Sequence, residues 1–484
     1  SPQVLVSGHD FYASPALSPD GRRLAYLAWN HPNMPWDGTE LWLAELSEDG
    51  QRIHPRRIAG GAHESIFQPQ WSPEGTLYFV SDRSGWWNLY RLTDDGTVHP
   101  VLPMEAEFGL PQWVFGMSTY GFASAEEIIA AFSEGGIWRL GRIDVTGGRL
   151  TRWEMPFTYI EQVRVGEGRA AFFAASPAQP LSLVVADTHT GNFEIIRTSV
   201  TASLDSRYIS LPESITFPTG DGEQAHAFFY PPTNPDYTPP SGTRPPLIVL
   251  GHSGPTGATD TRLNLKTQFW TGRGFAVLDV NYRGSTGYGR AYRERLNGNW
   301  GVVDVEDCIN GARFLVQQGR VNPEQLIIRG SSAGGYTVLA ALTFHDLFRA
   351  GACYYGIADL ERLVQHNHKF ESRYFDRLIG PYPAQKERYR RRSPIHFTDR
   401  LNCPVIFFQG SDDPVVPPEQ MEMMVEALKR KGMPVACVMF PGEGHGFRKA
   451  DTIRRALENE LYFYGRVFKL PLSETVEPIT IENL

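Results

Sequence analysis

The sequence has 484 residues, 41% hydrophobic and 21% charged, the make-up of a globular protein too long for one ordinary domain. A formal net charge of -8 with no long lysine- or arginine-rich run argues against a nucleic-acid partner. No stretch reaches the ~18 apolar residues that cross a bilayer, and the first residues carry no secretory-signal pattern.

In chain order, residues 1–205 repeat a β-rich unit. Pro15-Ala16-Leu17-Ser18-Pro19-Asp20-Gly21 precedes strands expected at Arg23–Trp29 and Glu40–Leu46. Pro69-Gln70-Trp71-Ser72-Pro73-Glu74-Gly75 precedes strands at 76–82 and 88–93. Pro111-Gln112-Trp113 opens a third copy with strands at 128–132 and 136–143, and a degenerate fourth begins near Gln162 with strands at 170–174 and 181–187. Ser-Pro-Asp/Glu-Gly is a turn in which proline presets φ and glycine accepts φ > 0. Such units, recurring at roughly 40 to 55 residues, predict the blades of a β-propeller, about four of them. Trp86, Trp87, Asp94 and Asp95 are expected to serve packing and turns rather than substrate.

Residues 205–211 read as the crossing into a second domain, 206–484. An antiparallel pair (214–218 and 225–230) turns at Gly220-Asp221-Gly222, and a Pro-, Thr- and Ser-rich loop fills 231–246. Buried strands are expected at 247–250 and 275–280, and a helix at 303–319. Strands alternating with helices specify a doubly wound, mostly parallel sheet. The apolar run Leu326-Ile327-Ile328 leads into Gly330-Ser331-Ser332-Ala333-Gly334, Gly-x-Ser-x-Gly between a strand and a small-residue helix. That order strains the Ser332 backbone and lifts its hydroxyl above the sheet edge. A hydroxyl needs a base and an orienting acid, and in the chain order of such hydrolases both lie downstream. The strand at 405–410 runs into Ser411-Asp412-Asp413-Pro414-Val415-Val416, and that at 435–440 into Pro441-Gly442-Glu443-Gly444-His445-Gly446-Phe447. Both loops follow a strand's carboxyl end, where open α/β sheets place their chemistry. Ser332 and His445 are therefore the expected nucleophile and base, with Asp412 and Asp413 competing for the acid. The N–H of Ala333, next after the nucleophile, is the expected first oxyanion donor.

Cys308, Cys353, Cys403 and Cys437 are widely spaced and mostly in apolar segments. Free thiols in a reducing, cytoplasmic setting are expected, with no metal site. Arg390-Arg391-Arg392 reads as a solvated helix face, and the tail after Leu470 as polar and irregular.

Five stretches together carry a resemblance: His252-Ser253-Gly254-Pro255, Asn281 to Gly289, Gly330 to Tyr336, Gly410 to Pro417 and Gly442 to Phe447. On them the chain resembles the prolyl oligopeptidase family of serine peptidases, on its acylaminoacyl-peptidase and aminopeptidase side, and puromycin-hydrolysing aminopeptidases in particular. The resemblance implies an α/β-hydrolase domain behind an N-terminal β-propeller, and no cofactor. It favours Asp413, in the spacing Gly410-x-x-Asp413-x-x-Val416, with Asp412 as a turn residue. It assigns the second oxyanion donor to the Gly254 N–H. Several relatives have a tyrosine where this chain has His252, which is expected to order the loop. Tyr355 and Val416 are expected to line the pocket for the side chain before the cleaved bond. Glu371 is a candidate anchor for a free α-ammonium, weighed against a surface pair with Arg373 or Lys369.

Propellers of this family usually carry about seven or eight blades, so about four look truncated. The expectation is that further blades are supplied upstream or as a separate N-terminal fragment; a closed four-bladed ring is the alternative. The expected activity is a serine peptidase on short peptides or aminoacyl amides, most simply an aminopeptidase. An acylaminoacyl or dipeptidyl peptidase, or a carboxylesterase on the same fold, is the alternative. A propeller-based interaction protein with a dead hydrolase half is disfavoured by the complete Ser332, Asp413 and His445 set. Homo-oligomerisation is left open.

Overall fold

The computed structural model describes residues 4–47, 53–200, 204–365 and 367–484. Its chain divides into two compact units. The first comprises residues 1–203 with 260–263 and 286–293, and the second residues 204–259, 264–285 and 294–484.

Among the described residues, the first unit holds four antiparallel sheets of four strands each, every sheet built from consecutive strands. Blade one is β1 (Phe11–Leu17), β2 (Arg23–Trp29), β3 (Glu40–Leu46) and β4 (Ile53–Gly60). Blade two is β5 (Ile66–Trp71), β6 (Leu77–Ser81), β7 (Asn88–Leu92) and β8 (Val98–Pro100). Blade three is β9 (Tyr120–Phe122), β10 (Glu127–Glu134), β11 (Ile137–Asp144) and β12 (Arg149–Arg152). Blade four is β13 (Tyr159–Gly166), β14 (Arg169–Ser176), β15 (Gln179–Asp187) and β16 (Phe193–Thr198). The Ser-Pro-Asp/Glu-Gly turns close as their chemistry requires. Gly21 and Gly75 take φ of 72° and 84° and donate to the carbonyls of Ser18 and Ser72. A further repeat lies in the first strands of blades one, two and four, where a bulge holds Ser14, Gln68 and Gln162 at positive φ. The third copy forms its expected strands as β10 and β11. Pro69-Gln70-Trp71 lies within β5, but Pro111-Gln112-Trp113 is irregular chain ahead of β9.

Two short stretches of the C-terminal half belong to this first unit. Asp82, buried on blade two, accepts from both Arg290 (2.7 Å) and Arg293 (2.6 Å). The buried Glu107 carboxylate accepts the N–H groups of Trp87 (2.8 Å) and Gly289 (3.0 Å). Arg293 also stacks over the buried Trp87 ring, and Arg262 over Tyr159. Two buried carboxylates paired with arginines or backbone donors avoid the cost of an unsatisfied charge. Trp87 is thus a packing residue, and Asp95 caps a turn between Thr93 and Thr97.

The second unit is built on β17 (Glu213–Pro218), β18 (Gln224–Tyr230), β19 (Leu247–Gly251), β20 (Ala276–Asn281), β21 (Leu326–Ser331), β22 (Ala350–Tyr354), β23 (Val405–Gly410) and β24 (Val435–Phe440). They form one sheet in the order β17-β18-β20-β19-β21-β22-β23-β24. β19 to β24 run parallel, while β17 and β18 form the antiparallel edge. β23 is buried along its whole length, as a central parallel strand must be. This is the α/β-hydrolase architecture. The chain order reverses at β19, whose neighbours are β20 on one side and β21 on the other. Ligand sites of open α/β sheets form at such a reversal, beyond the strands' carboxyl ends. Gly251 pairs in register with Gly330, so the loop after β19 and the turn after β21 emerge side by side.

Some expectations need correcting here. Arg392 is half-buried and donates to the carbonyls of Trp300 and Gly298, so it locks a helix end rather than facing solvent. The tail is not wholly irregular, because Glu482 pairs with Val435 at the sheet edge. Cys308, Cys353 and Cys403 are buried free thiols, whereas Cys437 on the edge strand β24 is exposed. Among the described residues no helix is long and apolar enough to cross a membrane.

Candidate active site

The turn after β21 shows why glycines flank the serine. Ser332 sits at φ 53°, ψ -119°, outside the regions open to ordinary residues, and the helix Ala333–Phe344 starts directly after it. A Cβ on Gly330 would lie 2.3 Å from the Gly334 carbonyl oxygen, and one on Gly334 would lie 2.1 Å from that of Gly251. Those atoms are backbone and cannot swing aside. Gly334→Ala is therefore expected to destabilise the fold by about 3 kcal/mol or more, read as a fall in Tm with loss of activity. A Tm within a degree of the parent would contradict this close approach.

The structure brings three of the predicted residues into one hydrogen-bonded line. His445 Nε2 lies 2.8 Å from Ser332 Oγ, and its Nδ1 lies 2.9 Å from Asp413 Oδ2. The Asp413 side chain is inaccessible to solvent, and its other oxygen accepts the N–H groups of Val415 (2.8 Å) and Val416 (2.9 Å). Gln409 reaches Oδ2 from below (3.3 Å). Burial alone would raise this carboxyl, but the hydrogen bond from His445 and the two backbone donors outweigh it and hold it below the usual carboxylate range. Asp413 is thus ionised at neutral pH, able to fix the His445 tautomer and stabilise the imidazolium. Asp412 is exposed and, among the described residues, its carboxylate accepts only from Ser411, its own neighbour, at 2.6 Å. Its backbone N–H joins the acid and base loops through the Glu443 carbonyl. The buried Glu443 carboxylate in turn accepts the N–H groups of Arg448 and Lys449, clamping the loop that carries His445.

Two backbone N–H groups are candidates for the oxyanion role. Neither the Gly254 nor the Ala333 N–H has a protein acceptor among the described residues. For Ala333 that follows from its place in the first turn of its helix, where N–H groups lack intrahelical partners. Gly254 holds φ 131°, which a side chain would resist. Around it the loop is gripped by tyrosines. The buried Tyr282 hydroxyl lies 3.0 Å from the Pro255 carbonyl and its ring stacks on His252, while Tyr374 bonds both the N–H and the hydroxyl of Thr256. His252 Nδ1 faces the Ser253 carbonyl (2.9 Å) and Nε2 faces the Ser285 hydroxyl (2.7 Å). Burial pushes the His252 imidazole down to about 4, so at neutral pH it is an uncharged strut.

Tyr355 is held against the base, its ring edge-on to His445 at 4.9 Å, with φ 37°. A bulky residue in that region is strained, which clusters at functional sites. Val416 is buried, and its N–H on Asp413 gives it a part in holding the acid. Glu371 is not drawn to the serine by any contact among the described residues. Its carboxylate meets Asn367 (3.3 Å) and His368 (3.8 Å), while Arg373 pairs with Asp376 instead. Among the described residues no cluster of His, Cys, Asp or Glu could hold a metal ion.

Residues 261–471 match the prolyl oligopeptidase family. The crystal structure of a puromycin hydrolase is 41% identical at TM-score 0.93, over 98% of this chain and 72% of that one. The chain belongs to the prolyl oligopeptidase family. A puromycin-hydrolyzing peptidase of Mycobacterium tuberculosis is 43% identical at TM-score 0.96, over 99% of this chain and 74% of that one. Dipeptidyl aminopeptidase BIII of Pseudoxanthomonas mexicana is 34% identical over 213 residues, which is 43% of this chain and 31% of that protein. The acylamino-acid-releasing enzyme of Arabidopsis thaliana is 27% identical over 243 residues, 48% of this chain and 31% of the relative. The match to these two thus spans about a third of their length.

Proposed function

We propose that the protein is a serine peptidase that hydrolyses short peptides or aminoacyl amides, releasing N-terminal residues as an aminopeptidase. The observation that carries this is the Asp413–His445–Ser332 line with bonds of 2.9 and 2.8 Å. His445 takes the Ser332 proton as Oγ attacks the carbonyl. The N–H groups of Gly254 and Ala333 hold the oxyanion, and His445 returns the proton to the leaving amine. Water activated by His445 then releases the acid. The likeness to two puromycin-hydrolysing enzymes supports the aminoacyl-amide class, since both align over nearly all of this chain. Tyr355 and Val416 are proposed to wall the side-chain pocket, and Glu371 to meet the free amine. The buried free thiols support a reducing, cytoplasmic location. The proposed partner is a separate fragment carrying further blades; native mass spectrometry of the protein from its source tests for it, and a monomer of this chain alone would count against it.

The test is hydrolysis of aminoacyl p-nitroanilides with free and with acetylated α-amines, Ser332→Ala serving as the blank. Turnover of the free amine alone is expected, with Glu371→Gln raising KM. Turnover of only the acetylated substrate would make the protein an acylaminoacyl peptidase, and of only dipeptidyl anilides a dipeptidyl peptidase. Turnover of esters with no anilide cleaved would make it a carboxylesterase.

A further inference from the structure

The loop after β19 is tied to the nucleophile turn by a side chain that the triad does not use. Ser253 Oγ donates to the main-chain carbonyl of Ser331 at 2.6 Å and lies 3.1 Å from the Ser331 hydroxyl. Ser253 immediately precedes Gly254, and Ser331 stands two residues before Ala333. One hydroxyl therefore bridges the two segments whose backbone N–H groups form the oxyanion hole. The in-register pairing of Gly251 with Gly330 sets the two strands, but it stops at the sheet edge. Beyond that edge the segments diverge into a loop and a helix. The opposite side of the loop is fixed independently, through His252 to Ser285 and Tyr282.

We propose that Ser253 is a positioning residue for the acyl-transfer reaction, its hydroxyl locking the Gly254 donor at a fixed separation from the Ala333 donor. This rests on the acyl-transfer reading of Ser332 given above. Donors aimed at a developing oxyanion act only when their spacing matches the tetrahedral species rather than the planar substrate. Loosening the tie therefore weakens transition-state binding and leaves ground-state binding unchanged. Losing one donor outright costs ~10²–10³ in kcat, and a donor that is present but free to drift costs a part of that. Ser253 itself is exposed and supports no packed core, so its removal is expected to spare the fold.

The experiment compares the parent with Ser253→Ala and Ser253→Thr, with p-nitroanilide and 4-nitrophenyl acetate as substrates and an aminoacyl boronic acid as tetrahedral adduct former. Ser253→Ala is expected to lower kcat about 10- to 50-fold with KM within twofold. It should weaken the boronate by a similar factor and leave Tm and the pH profile unchanged. Ser253→Thr, which keeps the hydroxyl, should recover most of the rate. An unchanged kcat, a rise in KM alone, or boronate affinity equal to the parent's would overturn the proposal, as would a rate loss that disappears when expressed per titrated Ser332. If the parent cleaves no anilide, the peptidase reading fails on its own. The ester acylation rates of the three proteins then still decide the role of Ser253.

Discussion

Ser332→Ala and His445→Ala are each expected to lower kcat by about 10⁶-fold, and the double variant by no more than either alone. The reason is geometric. At 2.8 Å from Ser332 Oγ, His445 Nε2 is proposed to accept and return the Ser332 proton, and without either partner the other has nothing to exchange. What survives in all three variants is the pair of N–H groups proposed as oxyanion donors, which belong to backbone and are untouched by the substitutions. A tenfold further loss in the double variant, measured as kcat on an aminoacyl p-nitroanilide, would mean that the two residues act separately and that the line is not a catalytic unit.

The second large effect separates two neighbouring carboxylates. Asp413→Asn is expected to cost about 10⁴ in kcat, because the amide offers an N–H where Nδ1 of His445 needs an acceptor and so favours the wrong tautomer. KM should hold, and the fold should survive, since the amide oxygen can still accept from Val415 and Val416. Asp412→Asn, one position earlier, should stay within about twofold of the parent, because its exposed side chain meets only Ser411 among the described residues. The reverse ranking would place the acid at Asp412 and contradict the Asp413–His445–Ser332 line.

These residues were legible in the sequence for a physical reason. Each sits just past a short apolar run, in a loop rich in glycine or proline, and parallel strands deliver such loops to one edge of the sheet. The four blades were legible too, through turns whose proline and glycine have no other economical use. What stayed hidden depends on register and on distance along the chain. The tie from Ser253 to Ser331 spans 78 positions and exists only because Gly251 faces Gly330. The membership of 286–293 in the first unit rests on Arg290 and Arg293 finding Asp82, 208 and 211 positions away, which no local pattern reports. Glu371 shows the opposite limit. Its charge and aromatic neighbours suggest an anchor, but composition does not report which neighbours a turn gives it, and its carboxylate meets Asn367 and His368. Pro111-Gln112-Trp113 repeats the letters of β5 but is irregular chain ahead of β9.

The measurement that bears most directly on the whole account is covalent labelling by diisopropyl fluorophosphate, followed by intact-mass and peptide mass spectrometry. The geometry predicts one adduct per chain, located on Ser332, formed rapidly by the parent and at background rates by His445→Ala. No adduct on a folded parent, or a stoichiometric adduct on any other serine, would contradict it.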